Sequence, residues 1–526
     1  MKTIFKYIIV GVVCLAGFNS CIKEDLNKNP NAASEVPAYR LMSGTQKFIM
    51  DYIYDLWFSG RQCMVYSQQW AQVNYTEEDR YQIRESVNNN YFNYLYMGVA
   101  NLQEVERLNK DPETAEENAP FGANANQIAA AKILKVWLMD VITDTWGSVP
   151  YSDVGKLASE NLLYCKYDDQ KELYAALIAE LDAAIGMIDV SKKAFTAGDN
   201  IYGGDAAKWK KFGNSLKCRL AVHMSKVDPD WKSYITAAVA SGVFESNDDA
   251  ANYAYVSSGT DYCQFYSGTV VDGRNDFTIA KPFYQLLKGE ADALNNKAHP
   301  WAGTEDPRLA FFSPGATSGM PYGIPSSVAG SFSEIVPDWT AAATAAGHLA
   351  ADFTIPLMTY AEVQFIISES KGFSDAEFKA GIEASIKYWA GIYGNKEDLT
   401  AAIAAYQAAV GAADAEKVAI QKYIDLWLNG TEAWTEIRRT GYPVQVLRPG
   451  EISAKNPDDD SNIAFEPLSE VKNDIIARVK YPTNESTLNG ENWKKAVAKL
   501  QDGTNNYYSK MFWDARTSTY DHPANK

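Results

Sequence analysis

Histidine is scarce in this chain, and the few that occur stand apart. There are four, His223, His299, His348 and His522, with no His-Glu-x-x-His pair and no other metal-ligand spacing. That excludes a zinc-protease motif. Cysteine is little more common. Beyond Cys14 and Cys21 come only Cys63, Cys165, Cys218 and Cys263, which are widely spaced and form no Cys-x-x-Cys pair. Two disulfides could form from these four, but the spacing does not suggest a staple framework and favours free, mostly buried thiols. No Gly-x-Ser-x-Gly nucleophile elbow occurs. Gly155-Lys156 runs into Leu157, so it is not a phosphate loop, and there is no dinucleotide glycine fingerprint. After the first twenty residues no apolar run is long enough to span a membrane. Positive charge is also in short supply, with 49 Lys and Arg against 66 Asp and Glu and a formal charge of -17. An acidic surface argues against nucleic acid or anionic phospholipid as a partner.

What is present begins at the N-terminus. Met1 to Ser20 have the form of a secretory leader, with Lys2 and Lys6 followed by an apolar stretch from Ile8 to Phe18. The segment Gly17-Phe18-Asn19-Ser20-Cys21 resembles the lipobox of bacterial lipoproteins. That resemblance implies cleavage before Cys21, acylation of Cys21, and a membrane tether in which no polypeptide crosses the bilayer. Cleavage would remove Lys2 and Lys6 and move the formal charge to -19. Ile22-Lys23-Glu24-Asp25 resembles the signal that sends Bacteroidetes lipoproteins to the outer cell face. Residues 21–36 are then a polar, lipid-anchored tether, and 37–526 are read as a single domain.

Within 37–526 the apolar spacing is mostly helical. Leu41, Thr45, Phe48, Ile49, Tyr52, Ile53 and Leu56 form one buried stripe. Further helices are predicted over 89–109 and 127–145, after Asp169 and Asp205 as N-caps, and over 359–371, 375–392, 415–428 and 431–440. Residues 37–252 and 357–442 therefore read as helical framework. Residues 253–356 and 443–526 read as loop-rich, with a few short strands and one helix near 280–287. The helix starts at 127, 169 and 205 are evenly spaced, as in helical repeats, without a repeated residue pattern.

Several segments, in order, resemble the SusD/RagB family of outer-membrane nutrient-binding lipoproteins, especially its SusD-like branch. They are Gln69-Trp70-Ala71-Gln72, Tyr75-Thr76-Glu77-Glu78-Asp79-Arg80-Tyr81, Thr143-Asp144-Thr145-Trp146-Gly147-Ser148-Val149-Pro150-Tyr151, Gly273-Arg274-Asn275-Asp276-Phe277, Asp306-Pro307-Arg308-Leu309, the run 355–365, the run 429–443, Arg478-Val479-Lys480-Tyr481-Pro482 and Phe512-Trp513-Asp514. The resemblance implies a mainly α, tetratricopeptide-like helical fold with a loop-rich irregular insertion. It also implies capture of a nutrient, usually a glycan, at the cell exterior, and a SusC-like TonB-dependent transporter as partner. It implies no catalysis and no cofactor. A peptide receptor of the RagB type would share this architecture. A glycosidase carboxylate pair cannot be picked out of 66 acidic residues without geometry.

Most of these motif residues read as framework. Trp146-Gly147 with Pro150 suits a helix-ending turn, Arg438 and Arg439 suit salt bridges to Glu432 and Glu436, and His223 suits a satisfied structural role. Asp458-Asp459-Asp460 with Asn456 and Asn462 reads as a solvated acidic loop, because it lacks the spacing of a calcium loop. Most of the 32 Tyr, 13 Trp and 21 Phe read as core, but Tyr and Trp rings in loops can stack on sugars. The candidate ligand residues are Trp70, Gln72, Asn74, Tyr75, Asp79, Arg80 and Tyr81 in one loop. Tyr322 and Trp339 come from a second, and Tyr266 from a third, where Tyr262 and Phe265 stand beside it.

Overall fold

The computed structural model describes residues 36–333, 336–337, 350–471 and 473–516. Cys21, the leader, most of the tether and Trp339 lie outside the described residues. The longer helices are α1 (Ala38–Ile53), α2 (Glu85–Lys110), α3 (Asn124–Trp146), α4 (Gln170–Met187), α5 (Ala206–His223), α6 (Trp231–Ser241), α7 (Lys281–Lys288), α8 (Ser326–Ser333), α9 (Tyr360–Ser370), α10 (Asp375–Ile392), α11 (Thr400–Val410), α12 (Ala415–Asp425), α13 (Gly430–Thr440) and α14 (Gly490–Val497). Successive helices pack on one another from α1 through α6, and α9 packs on α10, α12 and α5. This is the mainly α, tetratricopeptide-like arrangement that the apolar spacing and the family resemblance predict.

Local chemistry accounts for the helix ends. Asp169 accepts the Lys171 N–H and Asp205 accepts those of Ala207 and Lys208, as predicted of N-caps. Helix α3 is apolar almost all round and lies in the core, where Trp137 and Trp146 are fully buried. It stops at Gly147, whose φ of 86° favours glycine, and the Trp146 indole donates to Asn88 at 3.0 Å. Among the described residues no helix is long and apolar enough to cross a membrane.

The strands are short antiparallel pairs. Strand β1 (Trp70–Gln72) pairs with β5 (Phe277–Ile279), β2 (Val149–Pro150) with β3 (Tyr167–Asp168), β4 (Ala251–Ala254) with β6 (Thr354–Met358), and β7 (Ile452–Lys455) with β8 (Asn462–Ala464). Three differences from the sequence reading matter. Helix α1 ends at Ile53 rather than near Leu56. Helices α6 and α11 were not expected. Helix α8 falls in a stretch read as loop, and its Phe332 is buried.

The motif-rich helices enclose a network of ion pairs. Arg219 on α5 grips Glu362 on α9 at 2.7 Å, with both side chains about 1% exposed. Lys422 on α12 reaches Glu432 and Glu436 on α13 at 3.2 and 3.0 Å. Arg439 bridges Glu436 at 2.8 Å and Glu369 at 2.7 Å. Arg308 pairs with Asp306 at 2.6 Å in full burial. Arg438 departs from the expected salt bridge. It lies 3.5 Å over the Trp434 ring and donates to the carbonyls of Asp144 and Ala477, both at 2.9 Å. Without a paired carboxylate, burial lowers its pKa to about 10.

Candidate functional site

His223 lies in this network and serves it structurally. One ring nitrogen faces Glu432 at 2.9 Å and the other faces Asp144 at 3.3 Å. Burial alone would favour the neutral imidazole, but the Glu432 and Asp144 carboxylates outweigh it and push the pKa up to about 10. Asp140, Asp144 and His223 are close enough to suggest a metal site, with candidate ligand atoms within 4.8 Å of one another. Their surroundings do not fit a cation. Tyr174 already donates to Asp144 at 2.6 Å, Arg219 stands 3.8 Å from Asp140, and both imidazole nitrogens point at carboxylates and so carry protons. The four cysteines are unbridged. Cys63, Cys218 and Cys263 are buried and Cys165 is half-buried, and burial raises the thiol pKa of each.

The acidic segment 456–462 forms the turn between β7 and β8. Its side chains hold the turn itself: Asn456 accepts the Asp458 N–H at 3.1 Å, and Asp459 accepts from Ser461 at 3.0 and 2.6 Å.

Half of the predicted ligand residues turn inward. Trp70 is 2% exposed, with its ring 5.4 Å from Phe265 and 5.6 Å from Phe277. Gln72 is buried, donates to Glu78 at 2.8 Å and accepts from the Asp79 N–H at 3.2 Å. Asp79 is fully buried, and desolvation pushes its carboxyl well above the usual carboxylate range. Tyr81 and Tyr322 are also fully buried, packing edge-on to Phe465 at 5.2 and 5.3 Å. These five are corrections, because none of them presents a face to a ligand. The reason is the same for Trp70 and Gln72. Pairing of β1 with β5 places this segment between packed layers, so both faces of the strand are covered. Arg80 is half-buried and donates to the Glu466 carbonyl at 3.0 Å. Tyr266 is half-buried and pairs with Tyr262 at 5.5 Å.

Asn74 and Tyr75 are different. Both are exposed, Tyr75 by 56%, and Tyr75 holds a left-handed φ of 56° at the tip of its loop. The β1–β5 pair sets this loop beside residues 272–276, and the Val73 N–H donates to the Asp276 carbonyl at 2.7 Å. A cavity of about 230 Å³ opens between them, lined by Val73, Asn74, Asn275, Phe277, Ser333, Val336 and Pro337. Its wall is tied in place by Thr278, which donates to the Pro337 carbonyl at 2.9 Å.

Trp57, which the sequence reading passed over, is 40% exposed and lies beside Arg274, the chain neighbour of the cavity-lining Asn275. The guanidinium of Arg61 lies 4.6 Å from its ring centre and that of Arg274 lies 5.3 Å away. Arg274 in turn donates to Asp276 at 3.0 and 2.7 Å, a bond that raises its pKa, and Tyr75 is within electrostatic reach of it. Arg61 pairs with Glu78 at 3.4 Å. Asp55 shapes the loop that carries Trp57 by accepting the N–H groups of Phe58 and Ser59 at 2.7 and 3.3 Å. Gly268 lets the facing turn close in, since a Cβ there would meet the Leu56 side chain at 2.4 Å. The one available signal for Trp57 was misleading. It lies four residues after Ile53 and so continues the buried stripe, but the helix has already ended.

The outcome is a shallow surface with two open aromatic rings, two exposed amides and a small cleft. Rings of this kind pack on the C–H face of a pyranose, and amides meet hydroxyl groups.

Comparison with other proteins agrees with this architecture. No curated relative matches the chain. Among solved structures, a SusD homolog from Parabacteroides distasonis superposes with a TM-score of 0.70 at 20% identity, covering 92% of this chain and 99% of that one. A chitin-binding SusD homolog from Flavobacterium johnsoniae gives 0.66 at 22%, covering 91% and 98%. A further chitin-binding protein gives 0.68 at 23%, covering 90% and 100%. At these identities the likeness speaks for the fold. The family profile described as "Starch-binding associating with outer membrane" matches residues 30–463, which is most of the chain, and the protein therefore belongs to the SusD-like family.

Proposed function

We propose that this protein is a non-catalytic glycan receptor of the cell surface, anchored through acylated Cys21, which captures saccharide on the Trp57–Tyr75 face and passes it to a SusC-like TonB-dependent transporter. The observation that carries the reading is the pair of exposed aromatics, Trp57 and Tyr75, both close to Arg274, with Asn74 and Asn275 lining the adjoining cleft. Tyr and Trp rings with an exposed face beside amides have the composition of a sugar platform. Membership of the SusD-like family supports the nutrient-uptake role and the association with the outer membrane. The two chitin-binding neighbours support a saccharide ligand. Asn74, Tyr75, Trp57 and Asn275 are the residues assigned to contact.

Isothermal titration of the mature chain and of Trp57→Ala against a panel of plant, fungal and bacterial glycans tests the proposal. Binding of at least one glycan, weakened by the substitution, is the expected result. Binding of peptides and of no glycan would replace this reading with a RagB-type peptide receptor.

A further inference from the structure

Resting on the reading of the Trp57–Tyr75 face as a glycan site, we infer that Asp276 sets its charge selectivity: by holding Arg274 in a two-bond ion pair beside Trp57, it leaves no guanidinium of the face unpaired and restricts it to uncharged saccharides.

The argument starts from the positions of the cations. Arg274 is the guanidinium a ligand would meet, with its side chain 34% exposed, yet both of its bonds to Asp276 converge on one carboxylate oxygen at 3.0 and 2.7 Å. Asp276 itself is 7% exposed, so solvent does little to loosen the pair. Arg61 is drawn to Glu78 at 3.4 Å and lies 4.0 Å from Asp276, and Arg84 is drawn to Glu78 at 2.7 Å. Each of the three guanidinium groups thus has a carboxylate partner, with Arg61 and Arg84 sharing Glu78. Glu77, half-buried nearby, and the exposed Asp272 add further negative charge. The groups left open to a ligand beside these pairs are the rings of Trp57 and Tyr75, the amides of Asn74 and Asn275 and the carboxylate of Asp272, none of them a cation.

A uronate or a sulfate ester would have to displace Asp276 from Arg274, one anion against another. It would do so on a chain of formal charge -17, whose field repels polyanions before contact. A neutral sugar meets neither obstacle. Arg274 then acts as a positioning residue that props the Trp57 ring from 5.3 Å.

The test titrates the mature chain, Asp276→Asn and Arg274→Gln at low and at high salt. Maltoheptaose, chitohexaose and xylohexaose serve as neutral probes, with oligogalacturonate and chondroitin sulfate as acidic ones. Asn is nearly isosteric with Asp, and the backbone bond from Val73 to residue 276 is independent of the side chain. The wild type should bind a neutral probe with an affinity unmoved by salt, and neither acidic probe. Asp276→Asn should gain binding of an acidic probe, at least about tenfold above wild type at low salt and lost at high salt. Arg274→Gln should still reject acidic probes and weaken the neutral one a few-fold, with a changed near-ultraviolet tryptophan signal.

Three results would overturn the inference while leaving a glycan receptor in place. The first is wild-type binding of an acidic probe as tight as that of a neutral one, in a salt-dependent way. The second is a folded Asp276→Asn that still ignores acidic probes. Should that variant fail to fold, loss of all neutral binding in Arg274→Gln would show Arg274 to be a ligand anchor, whereas retained neutral binding would support the inference. A folded wild type that binds no probe of either class would sink the glycan reading, and this inference with it.

Discussion

Around Arg219 and around Trp57 the protein sets guanidinium groups against carboxylates in two different settings. At Arg219 both partners are enclosed, with Glu362 at 2.7 Å and no route to water. At Trp57 the pairs sit at the edge of solvent, and the Arg274 side chain keeps 34% of its exposure. In the enclosed case the charges lock five helices together, because each would be costly to bury alone. In the open case they flank an exposed ring. The same residue types therefore make a closed scaffold in one place and a solvent-edged surface in the other, and burial decides which.

The contrast can be pressed at four points, from the largest expected effect to the smallest. Arg219→Leu leaves Glu362 and the nearby Asp140 buried without their cation. Unfolding by urea should show a loss of about 3–5 kcal/mol, with glycan affinity of the folded fraction unchanged. His223 offers the same network to pH. Its imidazole would release its proton near 6.5 in the unfolded chain and near 10 in the fold. The folded pKa is raised, so the stabilisation is complete below pH 6.5 and is lost as pH rises through 10. Calorimetry should show Tm falling across that window, with a shallower fall in His223→Gln.

The open face should answer in the opposite way. Trp57→Ala should weaken the bound glycan by about tenfold or more while stability moves by less than about 1 kcal/mol. Tyr75→Gly should weaken binding a few-fold. Because residue 75 already sits at a φ of 56°, it should leave stability unchanged or raise it by up to about 1 kcal/mol. Equal losses of stability at Trp57 and Arg219 would erase the distinction between the two regions.

The framework was the more legible of the two in the sequence. The stripe on α1, the Asp169 and Asp205 caps and the turn after Trp146 rest on neighbours within a few residues, and these appear where the spacing puts them. The boundary that differed, the end of α1 at Ile53, lies just before Trp57, which the stripe ending at Leu56 did not include. In the candidate site, Asn74 and Tyr75 emerged from the sequence reading, while Trp57 and the Arg274–Asp276 pair did not. Asp276 and Arg274 were visible only as part of a motif, with nothing to say that they border an aromatic ring.

The sequence by itself determined a helical chain with no recognisable catalytic motif, a leader that resembles that of a lipoprotein, and an order of motifs that resembles the SusD-like family. All of these depend on residue types and short spacings. Tertiary structure decided which aromatics face water. Trp70 and Trp57 lie in the same stretch after α1, yet Trp70 is 2% exposed and Trp57 is 40%. Trp70 is covered because β1 pairs with residues 277–279, far along the chain, whereas Trp57 meets only the guanidinium groups of Arg61 and Arg274 among its described ring contacts and keeps part of its surface open. Burial is set by such distant contacts, and no local pattern of residues records them.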